Sequence, residues 1–545
     1  MKLFRIGFIL VTFLSVIMFQ RCVSDTINLD DVPDEANRPY AIDVPGMRIH
    51  GTAMEIFDEL DVDSIIEVDE SGLFWFYYDE EFVQEWNKML ALNEISNAFY
   101  YDMSSYLGAG LPGTSVRLTN EESIVLTDEE NVRIDTVMWK AGAFNFTFET
   151  SSPAVDSVII TIPQLYINDE VFTDTIVGAS LNNSYSIDLT DTYMDFTQYP
   201  GDANSINLIT DVIFAEDASS YSTATLSISY EMIDMGLKKA IGYFGSRIIS
   251  DDEKTLDFDA FDNNFLSTNV VLNDLRLEVI AENTFGIPMK INSGNIVFSN
   301  TDTNEDVDII IEDGNNIIDL DNYIDGSSVI PTEKLEINTD NSNLEDLLNI
   351  NEFAPSKVGS HIQIIANPDD ADLNYFLTDT SNVKTTIRMN VPLWFKSSNY
   401  SRSDTIDFDY NSDIDDDEDE PLSDKLEALT ANFNVENGLP FDIRFQIYLA
   451  DKDYTIVDQL FSSDNELPFI ESAKLDNLDR LSESTVSSFE AEIDNQKLET
   501  WRERDVKYAI VRIMAATEDE DYVKLGEDNF INVTMSFSAV GKLGE

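Results

Sequence analysis

"ENTFGIPMKI", residues 282–291, and "ENGLPFDI", residues 436–443, begin 154 positions apart and share one order of residue types. Each opens on Glu-Asn, passes through Gly and an aliphatic residue to Pro, and then alternates apolar side chains. The alternating residues are Met289 and Ile291 in the first stretch, and Phe441, Ile443 and Phe445 in the second. Asn and Gly accept the positive φ that a tight reversal needs, and Pro, which lacks an N–H, sits best at the first position of a strand. The unit therefore reads as strand, turn, Pro-led strand. Aligned on Gly and Pro, the second stretch lacks counterparts of Thr284 and Phe285, and the repeat is expected to be a duplicated β-sandwich hairpin.

The flanking sequence repeats the period of two. "TLSISYE" puts Leu226, Ile228 and Tyr230 on one face and Ser227, Ser229 and Glu231 on the other, as a half-buried antiparallel strand requires. "FNFTFE", "SVIITIP", "RLEVIAE", "KTTIRMNVPLWF", "DIRFQIYLAD" and "INVTMSFSAV" behave alike, mostly bounded by Asn, Asp, Gly or Pro. Helical spacing is rare. "DEEFVQEWNKMLAL" sets Phe82, Trp86 and Leu90 four apart behind a candidate cap at Asp79, which predicts a helix; "NLEDLLNI" and "DNQKLETWRERD" are shorter candidates. The fold class is all-β, with tandem β-sandwich domains and a few short helices.

On these residues the stretch "LRLEVIAENTFGIPMKINSGNIVFSN" resembles the early strands of LEA type 2 β-sandwich domains. The first copy covers about 269–395 and the second about 426–540. Together with the N-terminus described next, the layout resembles large cell-envelope lipoproteins of Bacteroidota. Neither resemblance supplies a catalytic residue. The expected organisation is a signal peptide over 1–21, an acidic tether over 22–45 and an N-terminal β-rich region over 46–240. An LEA type 2-like sandwich over 241–410, an acidic linker over 411–424 and a C-terminal sandwich over 425–545 follow.

The chain starts with Lys2 and Arg5, an apolar run from Ile6 to Phe19, and then Cys22, the sole cysteine among 545 residues. The run is shorter than the ~20 residues that span a bilayer, so it reads as a secretory signal. A cysteine directly after such a signal is a candidate lipidation site, although Gln20 and Arg21 stand where small residues are preferred; a simply cleaved signal peptide is the alternative. Either route leads to the outer membrane or cell surface with a lipid anchor, or to a periplasmic or secreted location. With one cysteine, no disulfide forms within the chain. Acids outnumber bases 104 to 33, a formal net charge of -71, which disfavours nucleic acid as a partner and predicts a solvated, self-repelling surface.

Searches for chemistry return little. "GAGLPG" at 108–113 has three glycines, but Pro112 and the following "TSVRL" make it a loop entering a strand rather than a dinucleotide motif. Two histidines, His50 and His361, are too few for a histidine-based metal centre or triad. Two Asp-rich runs have partial calcium-loop spacing: Asp409, Asn411, Asp413 and Glu420, and Asp302, Asn304, Asp306 and Asp313. Both lack the central Gly and evident flanking helices, so solvated acid is the favoured reading of each, with weak binding of calcium as the alternative. "GLFWFYYDE" packs five aromatics in a row, either a strand covered on both faces or a platform through which Trp75 and Tyr77 hold a glycan or an envelope protein. The leading expectation is a non-enzymatic, envelope-anchored binding or structural protein. A carrier of an apolar or lipid ligand comes second and an acidic glycoside hydrolase third.

Overall fold

The computed structural model describes residues 40–53, 65–102, 116–150, 155–178, 181–199, 204–214, 225–258, 270–349, 353–398, 400–407, 426–461, 467–517 and 521–541. Within them the chain is all-β, with one α-helix, Asn495–Glu503, capped by the Asp494 carboxylate, which accepts from the Lys497 N–H. "NLEDLLNI" forms a single 3-10 turn, Leu344–Leu347. The helix predicted from Asp79 onward is instead the second half of a strand, Phe74–Glu85, followed by one 3-10 turn, Trp86–Lys88. Its four-residue spacing is overridden by pairing. Asp79 and Glu81 stand opposite Arg388 and Thr386 of a neighbouring strand, and their carboxylates meet Arg388 and Lys384.

The two "EN" stretches end equivalent strands in two sandwiches of the same plan. In the middle sandwich Arg276–Asn283 lies between Asn382–Pro392 and Thr332–Ile337, and Phe74–Glu85 pairs with the far side of Asn382–Pro392, with the short strand Ile65–Val68 beyond it. In the C-terminal sandwich Leu426–Asn437 lies between Phe530–Gly541 and Thr485–Asp494, and Tyr40–Thr52 closes the far side of Phe530–Gly541. The facing sheets also correspond. Arg247–Asp257, Lys357–Ala366, Met289–Asn292 and Ile317–Leu320 match Tyr400–Asp407, Val506–Ala516, Asp442–Asp451 and Phe469–Ile470 in order.

The turn itself corrects the sequence alignment. Asn283 Oδ1 accepts from Phe285 N–H at 2.9 Å, and its Nδ2 donates to Ile287 O at 2.8 Å and Asp321 O at 2.9 Å. Asn437 Oδ1 accepts from Leu439 N–H at 2.9 Å, and its Nδ2 donates to Phe441 O at 3.2 Å and Glu471 O at 2.9 Å. The copies therefore align on Asn with no gap: Phe285 matches Leu439, Thr284 matches Gly438, and the two prolines are not equivalent. Neither Gly286 nor Gly438 has positive φ. Gly286 is needed for close approach, since a Cβ there would lie 2.3 Å from the Phe376 ring.

A third sandwich follows from eight strands in chain order: Ile95–Asp102, Val116–Val125, Arg133–Thr150, Val155–Ile167, Glu170–Val177, Ser184–Asp188, Ser205–Phe214 and Thr225–Tyr243. Numbered one to eight, they pair as 1-8-3-6 and 2-7-4-5, with Tyr193–Asp195 bridging the third and fourth. That pairing is the jelly roll, two Greek keys closed over one core. Phe144, Phe146, Phe148 and Trp139 fill it, fully buried, from the third strand. The Tyr230 hydroxyl on the eighth donates to Glu122 on the second at 3.1 Å. Burial, with the Glu122 carboxylate beside it, pushes the Tyr230 phenol up to about 12. An unfolded tyrosine ionises near 10, so this contribution is intact below about pH 10 and is lost as pH rises toward 12. Tyr230→Phe is expected to remove about 2 kcal/mol of the alkaline stability loss between those values, read by urea unfolding at each pH. An unchanged loss would show that Tyr230 ionises freely.

Pairing does not follow position in the chain. Tyr40–Thr52 and Phe74–Glu85, expected in a tether and an N-terminal region, pair with sandwich strands about 500 and about 300 residues later. Tyr40 stands opposite Gly541 at one end of the C-terminal sandwich, and Thr52 opposite Phe530 at the other. There the joint to the middle sandwich is made by backbone. Phe74 N–H donates to Leu525 O, Leu525 N–H to Leu393 O and Leu393 N–H to Phe74 O, at 2.9 to 3.1 Å. From that joint Phe74–Glu85 runs to Asn382, beside the Asn283 turn. Gly286 N–H then donates to Phe376 O, and Tyr375–Thr378 adds to the jelly-roll strand Thr225–Tyr243. Arg133, Lys140 and Lys239 of the jelly roll meet Asp372, Asp379 and Asp325 of the middle sandwich across this second joint. The chain thus runs out along one side of each sandwich, forms the jelly roll at the far end, and returns through the two sandwiches.

Candidate functional site

The aromatic run opens the strand Phe74–Glu85 of the middle sandwich, where it pairs with Ile65–Val68 on one side and Asn382–Pro392 on the other. Phe74 and Phe76 point into the core, and Trp75, Tyr77, Asp79 and Glu81 alternate outward. Across the sheet Tyr77 stands opposite Asn390 and then Arg276, and Asp79 opposite Arg388 and then Glu278. The Arg276 guanidinium covers the Trp75 ring at 4.8 Å and pairs with Asp274 at 2.8 Å. Arg388 lies 5.9 Å from the Tyr77 ring centre and pairs with Asp79 at 3.0 Å. The face is a stack of guanidinium on aromatic, with its cations already neutralised by acids of the same chain.

A turn seals its lower end. Trp75 Nε1 donates to Asp69 Oδ2 at 3.0 Å, while Asp69 Oδ1 accepts from Ser71 N–H, Ser71 Oγ and Leu73 N–H. Burial alone would raise the Asp69 carboxyl, but the hydrogen bonds from Ser71, Trp75 and Leu73 outweigh it and hold it below the usual carboxylate range. Burial first, and then the charges of Glu67, Asp69 and Glu278, push the Tyr77 phenol up. Asn390 Oδ1 and Arg388 Nε, two positions apart on this face, are buried without protein partners, a donor and an acceptor left open by the cluster.

Trp75 is therefore no open platform: it is 7% exposed, and Tyr77 is half-buried. Trp75 alternates outward on its strand, and Arg276 and the Asp69 turn occupy the face it lies on. Trp75→Ala is expected to cost about 2 to 3 kcal/mol in urea unfolding, and Tyr77→Ala less, because the first loses a buried ring and its cation contact. A loss below about 0.5 kcal/mol for Trp75→Ala would restore the exposed reading.

The other candidates fall apart in space or lie elsewhere. Asp302 and Asn304 occupy the tight turn of the hairpin between Ile296–Asn300 and Glu305–Ile309, where Asn300 Oδ1 accepts from Asp302 and Thr303 N–H. Asp306 is inside the second strand and Asp313 in a later turn, so the four are strung along a hairpin rather than wrapped round a centre. Among the described residues no group of three His, Cys, Asp or Glu could hold a metal ion. Asp409, Asn411, Asp413 and Glu420 lie outside the described residues, as do Cys22 and the 108–113 glycines. His50 meets Asn532 in the C-terminal sandwich and His361 meets Asp251 in the middle one, so the histidines share no site.

What sequence reasoning missed is the joint beneath this face. A shallow cleft there is lined by Ser71, Gly72, Asp479, Arg480, Lys524 and Asn529. Lys524 lies 4.3 Å from the Trp394 ring centre and donates to Leu478 O at 3.2 Å, which ties the C-terminal sandwich to the middle one. The signal available was the lone Gly526 in "KLGEDNF"; its requirement for a missing Cβ comes from Gly72, 454 positions earlier.

The sequence matches no family profile and no curated protein. Solved structures give distant likenesses. A protein of Parabacteroides distasonis described as secreted is 12% identical over 56% of this chain and 89% of its own, with a TM-score of 0.30. The triple jelly roll protein of an archaeal virus turret is 10% identical over 81% of this chain and 95% of its own, with a TM-score of 0.11. The VP2 subviral particle of infectious bursal disease virus is 6% identical over 89% of this chain and 82% of its own, also at 0.11. Scores this low mean that the chains do not superpose as wholes, and the all-β class rests on the strand pairing above. No helix among the described residues is long and apolar enough to cross a membrane.

Proposed function

We propose that the chain is a non-enzymatic, envelope-anchored stalk that holds a jelly roll away from the membrane for binding. The observation that carries this reading is the course of the first hundred residues. The segment that follows Cys22 enters the fold at Tyr40, at the end of the C-terminal sandwich farthest from the jelly roll, with two joints between them. On this reading Cys22 is acylated, the stalk stands on the outer membrane or cell surface, and its partner is an envelope protein or glycan. The duplicated sandwiches and their Asn-anchored turns support the LEA type 2-like, Bacteroidota-type lipoprotein reading.

Metabolic labelling with a fatty-acid analogue is expected to tag the wild type and to leave Cys22→Ala unlabelled; equal labelling of both removes the anchor. The stalk's partner is sought by pull-down of the mature chain from envelope extracts and on a glycan array, beside a broad hydrolase screen. A specific partner without turnover supports the binding reading. Hydrolysis that disappears when one carboxylate is replaced in a folded variant overturns it. An apolar molecule retained in native mass spectrometry would favour a carrier.

A further inference from the structure

We propose that Arg276 is an internal stand-in for a ligand, and that the face it covers on the middle sandwich takes an arginine side chain of a partner protein. This goes beyond the jelly-roll reading, because it gives the stalk a contact of its own. Asn390 is the floor of the site. It lies on the outward face between Tyr77 on one neighbouring strand and Arg276 on the other, is 6% exposed, and its Oδ1 meets no donor. Buried acceptors are nearly always bonded. Arg276 belongs to the strand on one side of Asn390, yet its guanidinium lies over the Trp75 ring on the other side, so the side chain spans the Asn390 strand without supplying the missing donor. Its Nε and Nη2 both turn back to Asp274 Oδ2, at 2.9 and 2.8 Å. The lysines of this face are held differently. Lys334 lies between Glu278 and Glu336, and Lys384 between Glu81 and Glu282. Among the described residues Arg276 pairs with one carboxylate, two positions away in the chain, and 42% of its side chain is exposed, so its hold is of the weak surface kind. What fills the site shows what it accepts: a planar cation on an indole face, beside a carboxylate and above an open amide oxygen. The charges that act most on Tyr77 are those of Glu67, Asp69 and Glu278, which excludes an anion. A second guanidinium, with five N–H donors, can stack on Trp75, pair with Asp274 and still reach Asn390 Oδ1. A lysine ammonium has the charge without the plane. Arg276 must swing aside for binding, so the measured affinity is the intrinsic one reduced by the fraction of open sites.

The test is calorimetric titration of the full mature chain with a blocked peptide, acetyl-Gly-Gly-Arg-Gly-Gly-amide, and with the same peptide carrying citrulline, the neutral isostere of arginine. Arg276→Ala opens the site and should bind the arginine peptide at least about tenfold more tightly than the wild type, with no gain for citrulline. Adding Asn390→Leu to Arg276→Ala removes the open acceptor at constant charge and should abolish the gain, so general attraction to a chain of net charge -71 is not its source. Asp274→Asn, at the wall of the site, should abolish it too and serves if Asn390→Leu does not fold. No gain in Arg276→Ala, equal gains for the two peptides, or a gain that survives the floor and wall variants overturns the proposal. A gain for cellohexaose in place of the peptide also overturns it and assigns the face to a neutral glycan. The titration needs no membrane and no jelly-roll ligand, so it can fail while the labelling of Cys22 and the partner search succeed, or succeed while they fail.

Discussion

Asn437→Ala is expected to destabilise the chain by about 4 kcal/mol, and Asn283→Ala by a similar amount. Both side chains are fully buried, and each satisfies three backbone groups with its two polar atoms. Removing the Asn437 amide strands the Leu439 N–H and the carbonyls of Phe441 and Glu471, and an unsatisfied buried group costs about 1 to 3 kcal/mol. Two of the three partners sit in the turn, while the third, at Glu471 or Asp321, belongs to a strand end some thirty residues on. The amide therefore clamps the start of one sheet to the other, a job alanine cannot do. Asn437→Asp should be no better at neutral pH, because its carboxylate would face two carbonyl oxygens in a dry site. Urea unfolding measures both variants. A loss below about 1 kcal/mol at both sites would mean that the turn holds without its amide.

These two asparagines also mark how far the sequence could be read. The repeat of Glu-Asn was visible, and so was the alternation that makes Arg276–Asn283 and Leu426–Asn437 strands, because a half-buried strand writes its period into adjacent residues. The role of Asn was not, since a side chain that bonds the backbone two and four residues ahead leaves no mark distinct from turn preference. The alignment on Gly and Pro failed for the same reason: Gly286 is held by Phe376, ninety positions away, and Gly438 by Phe530. Long-range pairing hid the rest. Phe82, Trp86 and Leu90 keep helical spacing, yet Asn382–Pro392 supplies a ladder partner as far as Glu85, and only the 3-10 turn Trp86–Lys88 of the expected helix forms. The five aromatics read as either a covered strand or an open platform, and the guanidinium of Arg276 that covers Trp75 comes from a strand two hundred residues later. Composition had no means of showing that the first strand of the fold pairs with the last.

The joint between the sandwiches should be the most sensitive point on the surface of either, and Gly526→Ala tests it. A Cβ at Gly526 would lie 2.2 Å from Gly72 O, a backbone atom with no flexible end to move. Gly72 O already accepts from Glu527 N–H at 3.1 Å, and Leu73 bridges Gly526, so the two strands cannot separate without breaking this contact. The same turn reaches the repeated hairpin. Asn529 Oδ1 accepts from Gly526 N–H at 2.7 Å, and its Nδ2 donates to Gly438 O at 2.7 Å, so a shift at Gly526 is passed to the residue beside Asn437. The expected cost exceeds about 4 kcal/mol, beyond ordinary overpacking, because the displaced group is backbone. Calorimetry should show the C-terminal sandwich melting apart from the rest, with new proteolytic cleavage near residues 69–73. Gly359→Ala is the control, since nothing lies closer than 3.7 Å to its added carbon, and it should change stability by less than about 1 kcal/mol. If Gly526→Ala melts in one transition at the wild-type temperature, the sandwiches are not joined through Gly72, and the outward path of the chain from Tyr40 to the jelly roll would need another crossing between them.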